Sequence, residues 1–321
     1  MLIQAGLFSI AKQAGLFTTD EDHDRRRETK KIKREGKRVP QERSSEAGIA
    51  FYTNMKLRIE HRTTFTYDAL ISEAYTEMRL RPADAGGQIV HSFRLVTEPH
   101  GEVLHYIDRY GADVRYFDVL VPHQRLSVTA ASEVSTPAQF IEAAVALSPL
   151  DEYDYLSSTR YVTAGNALTE FAAVHVKSDV VATAKALMNA IYTQFRYEPG
   201  ATTVNTSALE VLDLQRGVCQ DFAHVMIGLC RSQGIAARYV SGYLYNARVA
   251  ERDDAASHAW VDVFAPGRGW ISLDPTHNCA QGEEYVRLGI GRDYADAPPT
   301  RGTYKGAAKE KLEVKVNVRG E

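Results

Sequence analysis

The chain has 321 residues, 44% of them hydrophobic, which is enough to fill two cores. Its 38 basic and 41 acidic side chains give a formal net charge of -3, which excludes the global basic balance of a nucleic-acid or membrane-surface partner. Three cysteines at no regular spacing, Cys219, Cys230 and Cys279, argue against a disulfide framework and fit a reducing compartment, so free thiols are expected.

Residues 1–54 differ in character from the rest of the chain. QAGLF occurs at 4–8 and again at 13–17, and DRRRETKKIKREGKR then packs like charges together, so the segment reads as a disordered extension and Met55 as a candidate natural start. The apolar opening is broken by Gln4, Lys12 and Gln13, and its charges come after it instead of leading, unlike a signal peptide. With no later run near the roughly eighteen apolar residues of a membrane span, a cytoplasmic location without a membrane partner is the expectation.

From Met55 the period becomes two. In KLRIEHRTTFTY, Leu57, Ile59, Phe65 and Tyr67 share one parity while Lys56, Arg58, Glu60 and Arg62 share the other, the mark of a half-buried strand. Further short runs between Gly, Pro and Asp turns predict an all-β, sandwich-like domain over 55–137. Its histidines, His61, His91, His100, His105 and His123, are scattered and read as packing or surface residues. A helical connector over 138–177 leads to a second domain, 178–296, and a C-terminal tail with a final strand, 297–321. The second domain opens with a helix, SDVVATAKALMNAIYTQF, which Ser178 or Asp179 can cap. Then come RGVCQDFAHV, a cysteine at the start of a helix, and three strands, AARYVSGYLYN, SHAWVDVFA and RGWISLDPT, with the acidic loop ERDDAAS between the first two.

A thiol is a nucleophile as thiolate, and a helix start favours negative charge; it also offers the Cys219 backbone N–H to an oxyanion. Such a cysteine needs a base and a group that orients the base. His258 begins one strand and Asp274 closes the next, so an antiparallel hairpin brings them together, with Asp262 on the His258 strand as the fallback third member. His224, about 140° round the helix from Cys219, is expected to support by hydrogen bonding. Tyr197 and Gln194 are candidates for a second oxyanion donor, and Trp260 for a tunnel wall or a core residue. Arg238, Tyr239 and Tyr243 are expected to serve the sheet. Zinc is disfavoured because Cys219 and Cys230 lie about 16 Å apart on one helix and no CxxC occurs. Glu251, Asp253 and Asp254 lack the alternation of a calcium loop. No metal and no cofactor are expected.

GVCQDFAHV, with FRYEPGATTVNTSA before it and RYVSGY, SHAWVDVF, GWISLDPTHN and PPTRGTYKG after it, resembles the transglutaminase-like superfamily, in particular bacterial transglutaminase-like proteins with an N-terminal β domain, over roughly residues 55–318. The resemblance implies an α+β fold with a papain-like core, a cysteine-bearing helix on an antiparallel sheet. It implies Cys219 as nucleophile, His258 as general base and acid, and Asp274 as the residue orienting the imidazole. The implied chemistry is acyl transfer on amides through a thioester. Hydrolysis of a peptide or isopeptide partner leads, protein-glutamine cross-linking is the alternative, and a catalytically silent binding module is a third reading. Nucleic acid is not an expected partner, and oligomeric state is left open.

Overall fold

A computed structural model describes residues 54–142, 146–246 and 257–321. The expected disordered extension, except Asn54, and the acidic loop at 251–256 fall outside the described residues. The elements in chain order are β1 Met55–Ile71, β2 Glu73–Met78, β3 Ile89–Glu98, β4 Leu104–Ile107, β5 Asp113–Val119 and β6 His123–Thr136, then α1 Pro149–Leu156, α2 Asn166–Ala173 and α3 Val180–Gln194. They continue with β7 Arg196–Tyr197, α4 Ala208–Leu214, β8 Arg216–Gly217, α5 Cys219–Ser232, β9 Ala237–Leu244, β10 Ser257–Ala265, β11 Gly269–Asp274, β12 Cys279–Ala280, β13 Tyr285–Gly291, β14 Thr300–Lys305 and β15 Glu310–Gly320. The fold is α+β, an N-terminal β region joined to a core in which α5 packs on an antiparallel sheet.

Two four-stranded sheets, ordered β15-β1-β6-β3 and β14-β2-β5-β4, form the β region. The alternation of β1 is realised in its burial: Leu57, Ile59, Phe65 and Tyr67 are buried while Lys56, Arg58, Glu60 and Arg62 are exposed. Phe65 and Tyr67 pack with Met78 and Phe117 of the second sheet, whereas Leu57 and Ile59 pack with Val286 and Leu288 of β13. One face of one long strand thus serves both the sandwich and its junction with the core. There the buried His61 shares hydrogen bonds with the Tyr243 hydroxyl at 2.8 Å and with Thr63 at 3.0 Å, and burial pushes its imidazole down to about 4.

Residues 297–321 differ from the expected tail with one strand. They supply two strands, β14 beside β2 and β15 beside β1, and so complete both sheets of the sandwich. Local alternation in KLEVKVNV announces a strand, but only the tertiary fold names its partner. The connector region holds α1 and α2 among its described residues.

In the core, β12-β11-β10-β9-β13 form a five-stranded antiparallel sheet. Against it lies α5, whose residues Cys219 to Cys230 are all buried because α2, α3 and α4 cover it on its other sides. Asp179 caps α3 by accepting the Ala182 N–H at 2.9 Å. Ser207 and Glu210 form a reciprocal capping box on α4. Both caps fix helix starts that hold α5 in place.

Candidate active site

Cys219 is the first residue of α5, and the turn before it is held from two directions. Asp221, in the first turn, accepts the Val218 N–H at 2.8 Å and the Thr202 hydroxyl at 2.6 Å on the same oxygen. A Cβ on Gly217 would lie 2.5 Å from that carboxylate oxygen, so only glycine admits this close approach. Burial pushes Asp221 up to about 6, against the lowering effect of its two hydrogen bonds. The short parallel pair β7 and β8 sets Tyr197 opposite Gly217, which brings this half-exposed tyrosine beside the cysteine turn. Burial, and then the neighbouring Cys219, raise the Tyr197 phenol above its ordinary range.

His258 stands at the start of β10, and the hairpin to β11, closed by Gly267 and Gly269 at positive φ, returns the chain to Asp274. The His258 Nε2 donates to Asp274 Oδ2 at 2.7 Å. With Nε2 so engaged, Cys219 acts on the same ring and favours its charged form. Burial works against a charged imidazole, but Asp274 and then Cys219 outweigh it and raise His258 to about 10. Burial likewise opposes charge on Asp274, yet His258 and His277 hold the carboxyl well below its usual range. The three residues singled out in the sequence are therefore together at the junction of α5, β10 and β11.

The other expectations sort by position. His224 is fully buried on the far side of α5, where its Nε2 accepts the Tyr294 N–H at 3.2 Å and its ring stacks on Tyr161. It braces the helix against the segment after β13. Trp260 is wholly buried, donates to Gln281 at 3.2 Å and stacks beside His258, so it is a core residue that backs the imidazole. Gln194 closes α3 with an exposed side chain. Asp262 lies among Arg238, Arg287 and Ser272 and pairs with them instead of His258.

Two residues bonded to Asp274 were not read from the sequence as its partners. His277 Nδ1 and the Tyr285 hydroxyl each donate to Asp274 Oδ2, at 2.7 and 2.8 Å. His277 had a signal, since it comes three residues after Asp274 in a turn. Tyr285 had none, because its strand reaches the site only through the sheet order. Among the described residues, His258, Asp274 and His277 form a cluster whose ligand-type atoms lie within 4.8 Å of one another. Both rings share one Asp274 oxygen at hydrogen-bond distance. No described helix is long and apolar enough to cross a membrane.

The transglutaminase-like superfamily model matches residues 169–275, and the bacterial transglutaminase-like N-terminal region matches residues 57–135. An uncharacterized protein of Mycobacterium leprae is 34% identical over 283 residues, covering 82% of this chain and 98% of its own length. A protein-glutamine gamma-glutamyltransferase of Pseudomonas aeruginosa is 33% identical over 141 residues, covering 38% of this chain and 21% of that protein. A solved structure of a candidate cysteine protease from Cytophaga hutchinsonii shares the fold, with a TM-score of 0.69 at 23% identity, covering 84% of this chain and 91% of that one. With both regions matched in chain order and a relative aligned over nearly its whole length, the chain belongs to the transglutaminase-like superfamily, among the bacterial members that carry the N-terminal β region.

Proposed function

We propose that the protein is a cysteine-dependent hydrolase of peptide or side-chain amides, working through a thioester on Cys219. The observation that carries this reading is the convergence on His258 of the Asp274 carboxylate, at 2.7 Å, and of Cys219 at the start of α5, both of which favour the charged imidazole. An imidazolium next to a sulfur at a helix start stabilises the thiolate and stores the proton that the leaving amine needs.

The thiolate attacks the amide carbonyl carbon, and the developing oxyanion is met by the Cys219 backbone N–H, which in the first turn of α5 has no carbonyl partner within the helix. His258 Nδ1 gives its proton to the leaving nitrogen as the C–N bond breaks, which leaves a thioester. A water then adds to that thioester, His258 takes its proton, and the acid departs as the thiolate re-forms. Asp274 keeps the ring in the tautomer that points Nδ1 at the sulfur. Tyr197, whose backbone pairs with the turn before Cys219, is the candidate for a second donor to the oxyanion.

Replacing the water by a lysine amine turns the same cycle into protein cross-linking, and the likeness to the Pseudomonas aeruginosa transferase favours keeping that second reading. The deciding experiment offers a panel of peptide and isopeptide amides with and without a primary amine, and monitors both products and the mass of Cys219. Hydrolysis predicts acid product even with amine present; transfer predicts the new amide. Cys219→Ala must lose the acyl adduct. A panel that never acylates Cys219, or that Cys219→Ala turns over normally, overturns the proposal.

A further inference from the structure

Asp274 receives more hydrogen bonds than the orientation of one imidazole requires. Its Oδ2 accepts from His258 at 2.7 Å, His277 at 2.7 Å and the Tyr285 hydroxyl at 2.8 Å, while its Oδ1 accepts the Thr276 N–H at 2.8 Å. Chemistry sets the directions. An ionised carboxylate only accepts, so Tyr285 gives its single proton to Asp274, and the Cys279 thiol, 3.2 Å from the phenol oxygen, donates to that oxygen. The donors arrive from β10, β13 and the turn after β11, three separate places in the chain. Converging from different sides, they fix the carboxylate against rotation about its Cβ–Cγ bond. Tyr285 is buried, with its ring edge-on to Trp260 at 5.3 Å, while His277 closes the solvent side with half its side chain exposed.

We infer that Tyr285 and His277 are positioning residues: together they lock Asp274 in the orientation that keeps His258 aligned on Cys219. The inference rests on the catalytic reading of those three residues proposed above. Neither residue transfers a proton in the cycle; each acts through Asp274. Hydrogen-bonded neighbours that work through one group are non-additive, and this separates positioning from plain structural support.

The test is a double-mutant cycle read by the rate at which iodoacetamide alkylates Cys219 as a function of pH, with the melting temperature as a control. Tyr285→Phe and His277→Ala are each expected to slow alkylation about ten-fold in the parent and to move the alkaline limb of the profile toward neutrality. Added to Asp274→Asn, they are expected to slow it no further. Equal slowing in both backgrounds, no slowing in the parent, or a limb displaced to higher pH overturns the inference. His277→Ala changes a half-exposed side chain, so it keeps the test open should Tyr285→Phe fold poorly. Should Asp274→Asn itself alkylate like the parent, the catalytic reading falls, and that result is distinguishable from additivity in the cycle.

Discussion

Asp262 and Asp274 are both fully buried, on neighbouring strands of one sheet, and their partners differ in kind. Asp262 accepts from Arg287 at 2.6 and 2.9 Å, from Arg238 at 2.8 Å and from the Ser272 hydroxyl at 2.6 Å, and Arg238 also pairs with Glu142. Asp274 accepts from two imidazoles, a phenol and a backbone N–H. A guanidinium keeps its charge at any ordinary pH, so the first cluster is fixed in protonation and acts as scaffold. An imidazole can give up and regain a proton, so the second cluster can change charge during a reaction. Burial of a carboxylate is thus no guide to its role; the pKa class of its partners is.

The sharpest way to break this comparison is to remove each charge in turn. Asp274→Asn is expected to slow acylation of Cys219 by about 10³–10⁴-fold, because the amide favours the wrong tautomer of His258, and to lower the melting temperature less than Asp262→Asn does, because an imidazole can shed its proton when its partner loses charge and a guanidinium cannot. Asp262→Asn leaves two buried arginines short of an anion and is expected to cost about 3–5 kcal/mol, or about 10 °C in Tm. Calorimetry and the rate of acylation of Cys219 on both variants decide it. A stable Asp262→Asn, or an Asp274→Asn that melts early with an unchanged rate, would dissolve the distinction.

A second measurement uses pH. His258 is raised from its ordinary 6.5 to about 10, so its contribution to stability is complete below about pH 6.5 and is lost as pH climbs through 10. Asp274 is lowered, so its contribution is present above its ordinary range, about pH 4, and is lost in acid below it. Between pH 6 and pH 10 the urea midpoint should therefore fall further in the parent than in His258→Gln, while Asp262→Asn keeps the parent's alkaline loss. Parallel falls in parent and His258→Gln would mean that the imidazole is uncharged. The smallest expected effect sharpens the scaffold side. Ser272→Ala removes one neutral partner of Asp262 but no charge, and should cost about 1 kcal/mol with no change in Cys219 alkylation.

Much of this was legible in the residues. The parity of Leu57, Ile59, Phe65 and Tyr67 is the burial pattern of β1, Asp179 caps α3, and the place of Cys219 at a helix start is implied by Gly217 and the apolar run after it. The approach of His258 to Asp274 needed only a hairpin, a local structure with turn residues that announce it. What stayed hidden depended on strand order. Tyr285 opens β13, which runs along the far side of β9, and no periodicity in YVRLGIG says which sheet edge it joins. Asp262 offered the same parity as His258, and only the arrival of Arg287 from that same strand β13 reveals its allegiance.

The pairing of β1 with β15 has a consequence in time. Tyr67 sits opposite Glu310, about 240 positions later, and Met78 opposite Thr300, so both sheets of the sandwich lack a strand until the residues that follow the core have been synthesised. During translation β1 has only β6 beside it, and its other edge offers a row of unpaired backbone groups flanked by Leu57, Ile59 and Phe65. The sandwich emerges before the core and is sealed only after it, which makes it a part of the nascent chain that needs guarding against association with its neighbours.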